Sequence, residues 1–442
     1  MPHDAVDLYD LVLNEIAQRR ETGHDVSDIE RRFQALTANG DVAGRREELG
    51  KLADELDSLD PPVGWPYEEP NAWPDILGTL TPPPADVPPD GDRLRDQVLG
   101  GWLGRVAGNM LGKPVENGDH WTPARLRSYL ELAGAWPLDD YFPVLDPMPD
   151  GYELRQCWVD TTRGRVNGSS RDDDVDYTIL GLHLLEKYGE ALTSRDVAAS
   201  WLLLLPWHQT YTAERVAYRN LALGLEPPAT ATHRNPYREW IGAQIRGDAF
   251  GYAHPGDPLA AARLAYVDAA VSHVGNGIYG EMWAAGLVAA AFTAGDARAA
   301  LEMSLGVVPP RSRLAEALRD VLDMHARGLD WDAARAAIDE RYGHYSWVHT
   351  INNAAVVAAG LLWGEGDFTR TIALTVLGGL DTDSNGGTAG SVAGILTGAA
   401  RIPPNWTNPL HDTIRSALFG FDRSRISDLA TRTLALVRSR RQ

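Results

Sequence analysis

Long helical stretches built largely from alanine and glycine constrain this chain most. The segments AAGLVAAAF (284–292), NNAAVVAAGLL (352–362) and GTAGSVAGILTGAA (387–400) are apolar almost throughout. Small residues on a helix face let two axes approach closely, which suits a compact multi-helix bundle. Apolar residues recur with helical period over 178–190, 195–205, 258–272, 281–294, 312–327, 351–363 and 367–378, whereas strand signals are weak. The expected fold class is therefore all-α.

Residues 1–90 read differently from the rest. Leu8, Leu11, Ile16 and Ala17 recur at helical spacing, and Ser27 with Glu30 fits a capping box ahead of Phe33 and Leu36. The stretch 61–90 is too rich in proline for long helices, so it is expected to be an extended connector. Its Trp65, Tyr67, Trp73 and Ile76 predict that it lies packed on a surface. The expected organisation is an N-terminal helical extension with its connector over 1–90, followed by one large helical domain over 91–442. Within that domain, 135–170 reads as a long loop over one end of the bundle, and loops of that length tend to be functional.

The chain carries 61 acidic against 41 basic side chains, a net charge of −20. Such a field disfavours nucleic acid and anionic membrane surfaces as partners. An anionic small molecule would need a local cationic device, and a bound divalent metal is one. The single cysteine, Cys157, excludes an intramolecular disulfide and a cysteine-based zinc cluster. The acidic start lacks the features of a signal peptide, and no apolar run approaches the roughly 20 residues a spanning helix needs. A cytoplasmic location is the default expectation. Oligomeric state is not legible.

Two acidic clusters stand out. In SSRDDDVDYTIL, Asp172, Asp173, Asp174 and Asp176 precede an apolar helix. In GGLDTDSNGGTAGSVAGIL, Asp381, Asp383 and Ser384 lie between two glycine pairs ahead of a small-residue helix. Either cluster alone reads equally as a helix cap, since helix N-termini favour carboxylates. A D-x-D pair backed by a hydroxyl also offers hard oxygen ligands to Mg²⁺ or Mn²⁺. Two such clusters at helix starts, about 200 residues apart, together favour a shared metal site. No zinc-protease, serine-hydrolase, Rossmann or phosphate-loop motif accompanies them.

At these residues the chain resembles the ADP-ribosylglycohydrolases, the group that includes dinitrogenase-reductase-activating glycohydrolase. GRVAGNMLGKPVE (104–116) is similar to the family's G-D-A-x-G-x-P-x-E motif, DDDV (172–175) to its T-D-D-T, and the segment from Gly378 to its G-G-D-T-D-T. The resemblance spans about 91–420 and implies an all-α fold with two Mg²⁺ or Mn²⁺ ions in a cleft. Carried across, Asp173, Asp174, Asp381, Asp383 and Ser384 would be metal ligands, with Asp383 bridging. Asp172 stands where the family has Thr or Ser and would ligate as well. Glu116 falls on the family glutamate near the metals and is the candidate catalytic residue, with Asp174 as the metal-adjacent alternative. Asn109 replaces the family's Asp, Val175 a Thr and Ser384 a Thr. The first two departures bear on substrate identity more than on metal binding.

Further polar groups are candidates for the cleft. By resemblance His273 would face the substrate, joined by Asn276 and Tyr279 of the same segment; a hydrogen-bonded structural histidine is the other reading. Arg215 lies in TYTAERVAYRNLALG, which looks helical where the family has a glycine-rich substrate loop. It would either pair with a phosphate or sit on the surface beside Glu214. His349 and Asn352, with Thr350 and Asn353, precede a buried-looking helix, where they would cap it or orient a sugar. The reaction so implied is hydrolysis at C1 of a ribose, most directly in an ADP-ribosylated substrate. Alternatives are a small riboside or nucleotide-sugar metabolite as substrate, a non-catalytic metal-dependent ADP-ribose-binding protein, or a structural scaffold.

Overall fold

The structure, a computed structural model, describes residues 6–38 and 43–440. Residues 1–5, 39–42 and 441–442, part of the N-terminal extension and the extreme C-terminus, lie outside the described residues. Among the described residues, 22 α-helices accompany one two-stranded ladder, Thr413–Ile414 against Ser424–Arg425. The all-α expectation holds.

Three helices sit at the centre: Asn276–Ala291, Thr350–Trp363 and Thr382–Thr397. Every residue of the first two is buried, which follows from sequences apolar on all faces. Most of the expected helices lie within a few residues of their observed bounds, as in Pro258–Ala269, Arg313–Ala326 and Phe368–Leu377. Residues 135–170 form the expected long loop, interrupted by one turn, Trp158–Thr161.

The closest packing joins Gly91–Gly112 to Thr382–Thr397. Gly100 faces Gly394, Gly104 faces Gly390, Gly108 faces Gly386 and Gly112 faces Thr382, so the two helices run antiparallel. A Cβ added at Gly104 would lie 2.0 Å from the Gly390 carbonyl oxygen, and one at Gly108 1.9 Å from that of Gly386. Backbone therefore meets backbone along the whole pair. Real Cβ atoms do not approach so closely, so only glycine permits this spacing. The consequence for the site is direct. The end of the first helix, with Lys113 and Glu116 just beyond it, is fixed against the start of the second, with Asp381 and Asp383.

The N-terminal helices Leu8–Glu21, Ser27–Thr37 and Arg46–Asp57 enclose a small apolar core of their own, including Val12, Ile16, Ile29, Phe33, Leu49, Leu52 and Leu56. The capping box expected at Ser27 is not formed. Ser27 starts the helix, and its amide and hydroxyl both donate to Asp25 Oδ1, at 3.1 and 2.7 Å. The connector is held to the main body as expected. The Trp73 ring packs on Tyr266, Ile76 is fully buried, and the amides of Thr81 and Asp86 donate to the carbonyls of Gly306 and Gly256.

A buried polar network joins extension to body. Arg238 pairs with Glu15 (Nη2–Oε1 2.9 Å), and Gln18 donates to Glu239 at 2.7 Å. Arg313 spans Glu69 at 2.9 Å and Glu239 at 2.7 Å. Removing one partner from such buried pairs costs about 3–5 kcal/mol, because the other charge is left uncompensated.

Candidate metal centre and active-site cavity

Both acidic clusters do begin helices. Asp172 caps the helix Asp173–Tyr188, its carboxylate accepting from the Asp174 amide at 3.0 Å. Asp381 precedes the helix Thr382–Thr397. The chain approaches Asp381 through Gly379 (φ 72°) and Leu380 (φ 64°). A leucine in the left-handed region is uncommon and marks backbone held by its surroundings. Asn353 supplies part of that hold. Its Oδ1 accepts from the Asp381 amide (3.1 Å) and Asn385 Nδ2 (2.7 Å), and its Nδ2 donates to the carbonyls of Trp347 and His349. The Thr382 hydroxyl ties the turn to the Gly112 carbonyl at 2.8 Å.

Although about 200 residues separate them, the clusters converge on one cavity of about 950 Å³. Its walls include Glu116, Asp172, Asp173, Asp174, Asp381, Asp383 and Ser384. Two carboxylate triads lie within it: Glu116, Asp381 and Asp383, and Asp172, Asp174 and Asp383, each able to bring one oxygen per residue within 4.8 Å of the others. Asp383 belongs to both. Ser384 Oγ lies 3.3 Å from Asp174 Oδ2. Asp173, at the half-exposed edge of the cluster, lines the cavity without joining either triad.

Burial, and then the proximity of Asp383, pushes the carboxyls of Glu116, Asp174 and Asp381 well above their ordinary range. Asp381 is 6% exposed, and its Oδ1 finds no hydrogen-bond partner among the described residues. A buried carboxylate oxygen left unpaired is costly, and a hard cation is the partner this donor set fits. The chain's own cations approach the same acids: Lys113 contacts Asp172, Arg155 contacts Glu116, and Arg105 Nη2 reaches Asp174 Oδ1 at 3.3 Å. Arg105 is fully buried and also donates to the carbonyls of Asp174 and Ile245. Asp176 turns away from the cavity toward Arg171, Ser416 and Ala417.

None of the seven residues expected to contact substrate lines the cavity. Asn109 is fully buried within the helix pair, its Cβ packed against Gly387 of the facing helix. His273 is 1% exposed, its Nδ1 bonded to the Ser272 hydroxyl, and burial drives its pKa down, so it is neutral. Asn276 starts a helix and is bonded to Glu69, Glu239 and the Leu314 amide. Tyr279 donates to the Pro70 carbonyl. Both therefore meet the N-terminal connector where substrate had been expected. Arg215 is buried between the rings of Trp207 and Tyr211. The nearby Glu214 pairs with Arg246 at 2.7 Å. His349 caps its helix by accepting from the Ile351 amide and stacks on Tyr345. Asn352 donates to the Ser346 carbonyl.

Neighbours of these residues do face the cavity: Lys113, Tyr211, Thr212, Glu214, Trp347 and Val348, joined by Trp240, Ile241, Gly242 and Arg155. Burial, opposed by Arg246, raises Glu214 to about 7. The sequence offered few signals for this set. Trp240 and Arg155 lie in irregular segments whose approach to the acids depends on tertiary contacts.

Among known proteins, the model of the ADP-ribosylglycohydrolase family matches residues 90–442. A solved structure described as "ADP-ribosylglycohydrolase-related protein complex" is similar over 79% of this chain and 99% of its own, with 20% identity and a TM-score of 0.46. No curated protein sequence matches the chain. The family match covers most of the sequence and includes every acid of the two triads, and on it the chain belongs to the ADP-ribosylglycohydrolase family of glycosidic-bond hydrolases.

Proposed function

We propose that this protein is a divalent-metal-dependent hydrolase that cleaves the C1 glycosidic bond of a ribose in an ADP-ribosylated substrate. One observation carries the reading: two carboxylate triads share Asp383 in the wall of a single large cavity. Mg²⁺ or Mn²⁺ ions would be held by Glu116, Asp381 and Asp383 and by Asp172, Asp174 and Asp383, with Ser384 and Asp173 alongside. Bound there, divalent cations supply charge neutralisation and orientation of sugar hydroxyls.

The chain's own residues divide the remaining work. In hydrolysis, a water oxygen forms a bond to C1 while the bond from C1 to the leaving group breaks. Glu116, as carboxylate, accepts one proton of that water and returns it to the departing group, so that C1 carries the new hydroxyl and the leaving group departs protonated. The oxocarbenium-like charge at C1 is stabilised by surrounding carboxylates, among which Asp174 is held in place by Arg105 and Ser384. Trp240 and Trp347 offer flat, partly exposed faces for a base or sugar. Lys113, Arg155 and Arg171 line the same cavity, each paired with a carboxylate, so bound divalent metal would supply the positive charge that an acidic chain needs to take up phosphates.

The test is a screen of ADP-ribosylated protein against small ribosides and nucleotide sugars with Mg²⁺ or Mn²⁺ present, read as released ADP-ribose or ribose. Release of ADP-ribose from protein is expected. Turnover of the small compounds alone would transfer the reading to a metabolite hydrolase. Tight ADP-ribose binding without turnover of any substrate would make the protein a sensor.

A further inference from the structure

The two triads differ in how much of their charge the chain has already neutralised. In the triad of Asp172, Asp174 and Asp383, protein groups occupy most of the carboxylate oxygens. Asp172 Oδ1 accepts from the Asp174 amide, and its Oδ2 contacts the Lys113 ammonium. Asp174 Oδ1 faces Arg105 Nη2, and its Oδ2 faces the Ser384 hydroxyl. Both cations are fixed: the Arg105 side chain is 0% exposed and that of Lys113 12%. The three carboxylates thus meet the whole charge of Lys113 and part of that of Arg105, whose Nη1 also pairs with the buried Asp248 at 3.1 Å.

The triad of Glu116, Asp381 and Asp383 is less compensated. Among the described residues its one contacting cation is Arg155, which also donates to the Glu116 carbonyl at 3.0 Å and whose side chain is 44% exposed, so its charge is screened by solvent more than that of Lys113 or Arg105. Asp381 Oδ1 is buried and unpartnered among the described residues. Affinity for a hard divalent ion rises with the charge and the free oxygens of its ligands. A fixed ammonium competes with the ion for the same carboxylate.

From this asymmetry, and resting on the reading that the acids hold divalent metal, we propose that Lys113 is a built-in counter-cation that makes the centre unequal. Glu116, Asp381 and Asp383 form the tight divalent position. Asp172, Asp174 and Asp383 form a weak one, whose affinity Lys113 holds down. Lys113 acts on the metal through Asp172 and is a positioning residue rather than a catalytic one. The sequence places it one residue beyond the glycine-packed helix, where its stem is fixed relative to both acid clusters.

The experiment is a titration of the full chain with Mn²⁺ alone, followed by calorimetry and by electron paramagnetic resonance. Wild type should take one tight equivalent, giving an uncoupled Mn²⁺ signal, and a second equivalent more weakly. Lys113→Met should strengthen the second by about 10- to 100-fold, the range over which groups bonded to metal ligands tune affinity. It should also bring out an exchange-coupled pair at two equivalents. Two equally tight equivalents in wild type, or an unchanged second affinity in Lys113→Met, would overturn the proposal. Two variants test it without altering Lys113: Asp381→Asn should remove the tight equivalent, whereas Asp172→Asn should leave it in place, and the reverse pattern overturns the assignment. Absence of any Mn²⁺ binding by folded wild type is a different failure, since it refutes the metal reading itself.

Discussion

Replacing Gly108 by alanine tests the packing that assembles the centre. The new methyl would lie 1.9 Å from the Gly386 carbonyl oxygen. Carbon–oxygen contacts between packed backbones run at about 3.3–3.6 Å, so the helices must part by roughly 1.4 Å. The obstacle is main chain on both sides and has no rotamer to change. Overpacking typically costs about 1–3 kcal/mol, and a rigid backbone neighbour puts this site at the upper end. Alanine regains about 1 kcal/mol of helix propensity. The expected net loss is about 2 kcal/mol, read as a lower urea midpoint with an unchanged slope. Because Glu116, just beyond the first helix, and Asp383, in the second, sit at the same end of this helix pair, Mn²⁺ affinity and turnover should fall too. A displacement near 1 Å costs about 100-fold in a positioned site. Gly50→Ala is the matched control. It lies within the helix Arg46–Asp57 with no atom within 4 Å of the added Cβ among the described residues, and should stabilise by up to about 1 kcal/mol. If Gly108→Ala kept both the wild-type midpoint and the wild-type Mn²⁺ affinity, backbone contact would not be what sets the spacing of the acids.

Other outcomes follow from the same structure. Glu116→Gln should lower turnover by about 10²–10⁴-fold while leaving the circular dichroism spectrum intact, and near-normal turnover would remove Glu116 from the chemistry. Arg313→Ala should cost about 3–5 kcal/mol in urea unfolding, because it strands the buried Glu239 and the partly buried Glu69 carboxylates. Burial, and next the proximity of Glu239, raises Glu21 from 4.5 to about 8. Its stabilising protonation is complete below 4.5 and is lost as pH rises through about 8. Glu21→Gln should therefore match wild type in melting temperature near pH 4 and exceed it near pH 9; parallel profiles would contradict the shift. Mg²⁺ or Mn²⁺ at about 100 times its dissociation constant should add about 2.7 kcal/mol of stability, and a chelator should remove it.

How much of the site could be read from the chain differs residue by residue. The carboxylates were legible because each stands at a helix start inside a local pattern, D-D-D or D-x-D. Asp172 joins a triad and Asp173 stays at the edge, a choice set by which side of the first helical turn faces the cavity. The polar candidates His273, Asn276, Tyr279 and Asn352 lie away from the cavity wall, and a common reason made them candidates. A buried polar side chain needs partners whether or not it meets substrate. Residue type alone does not separate a group bonded to Glu69 or Ser346 from one facing a ligand. Asn353, one position from Asn352, holds the Asp381 turn, and no sequence period distinguishes the two.

What the amino-acid sequence determined alone is what local spacing encodes: helices from apolar period, the packed connector from its prolines and aromatic residues, and carboxylates gathered at two helix starts. Tertiary structure alone decided which cavity those acids share, which of them the chain's own arginines and lysine neutralise, and that the N-terminal extension takes up the polar groups around Glu239 and Arg313. The physical reason is range. Helix period and capping act over a few residues, whereas the approach of Gly108 to Gly386, of Lys113 to Asp172 and of Gln18 to Glu239 joins positions far apart in the chain, and only the packed backbone brings them within contact.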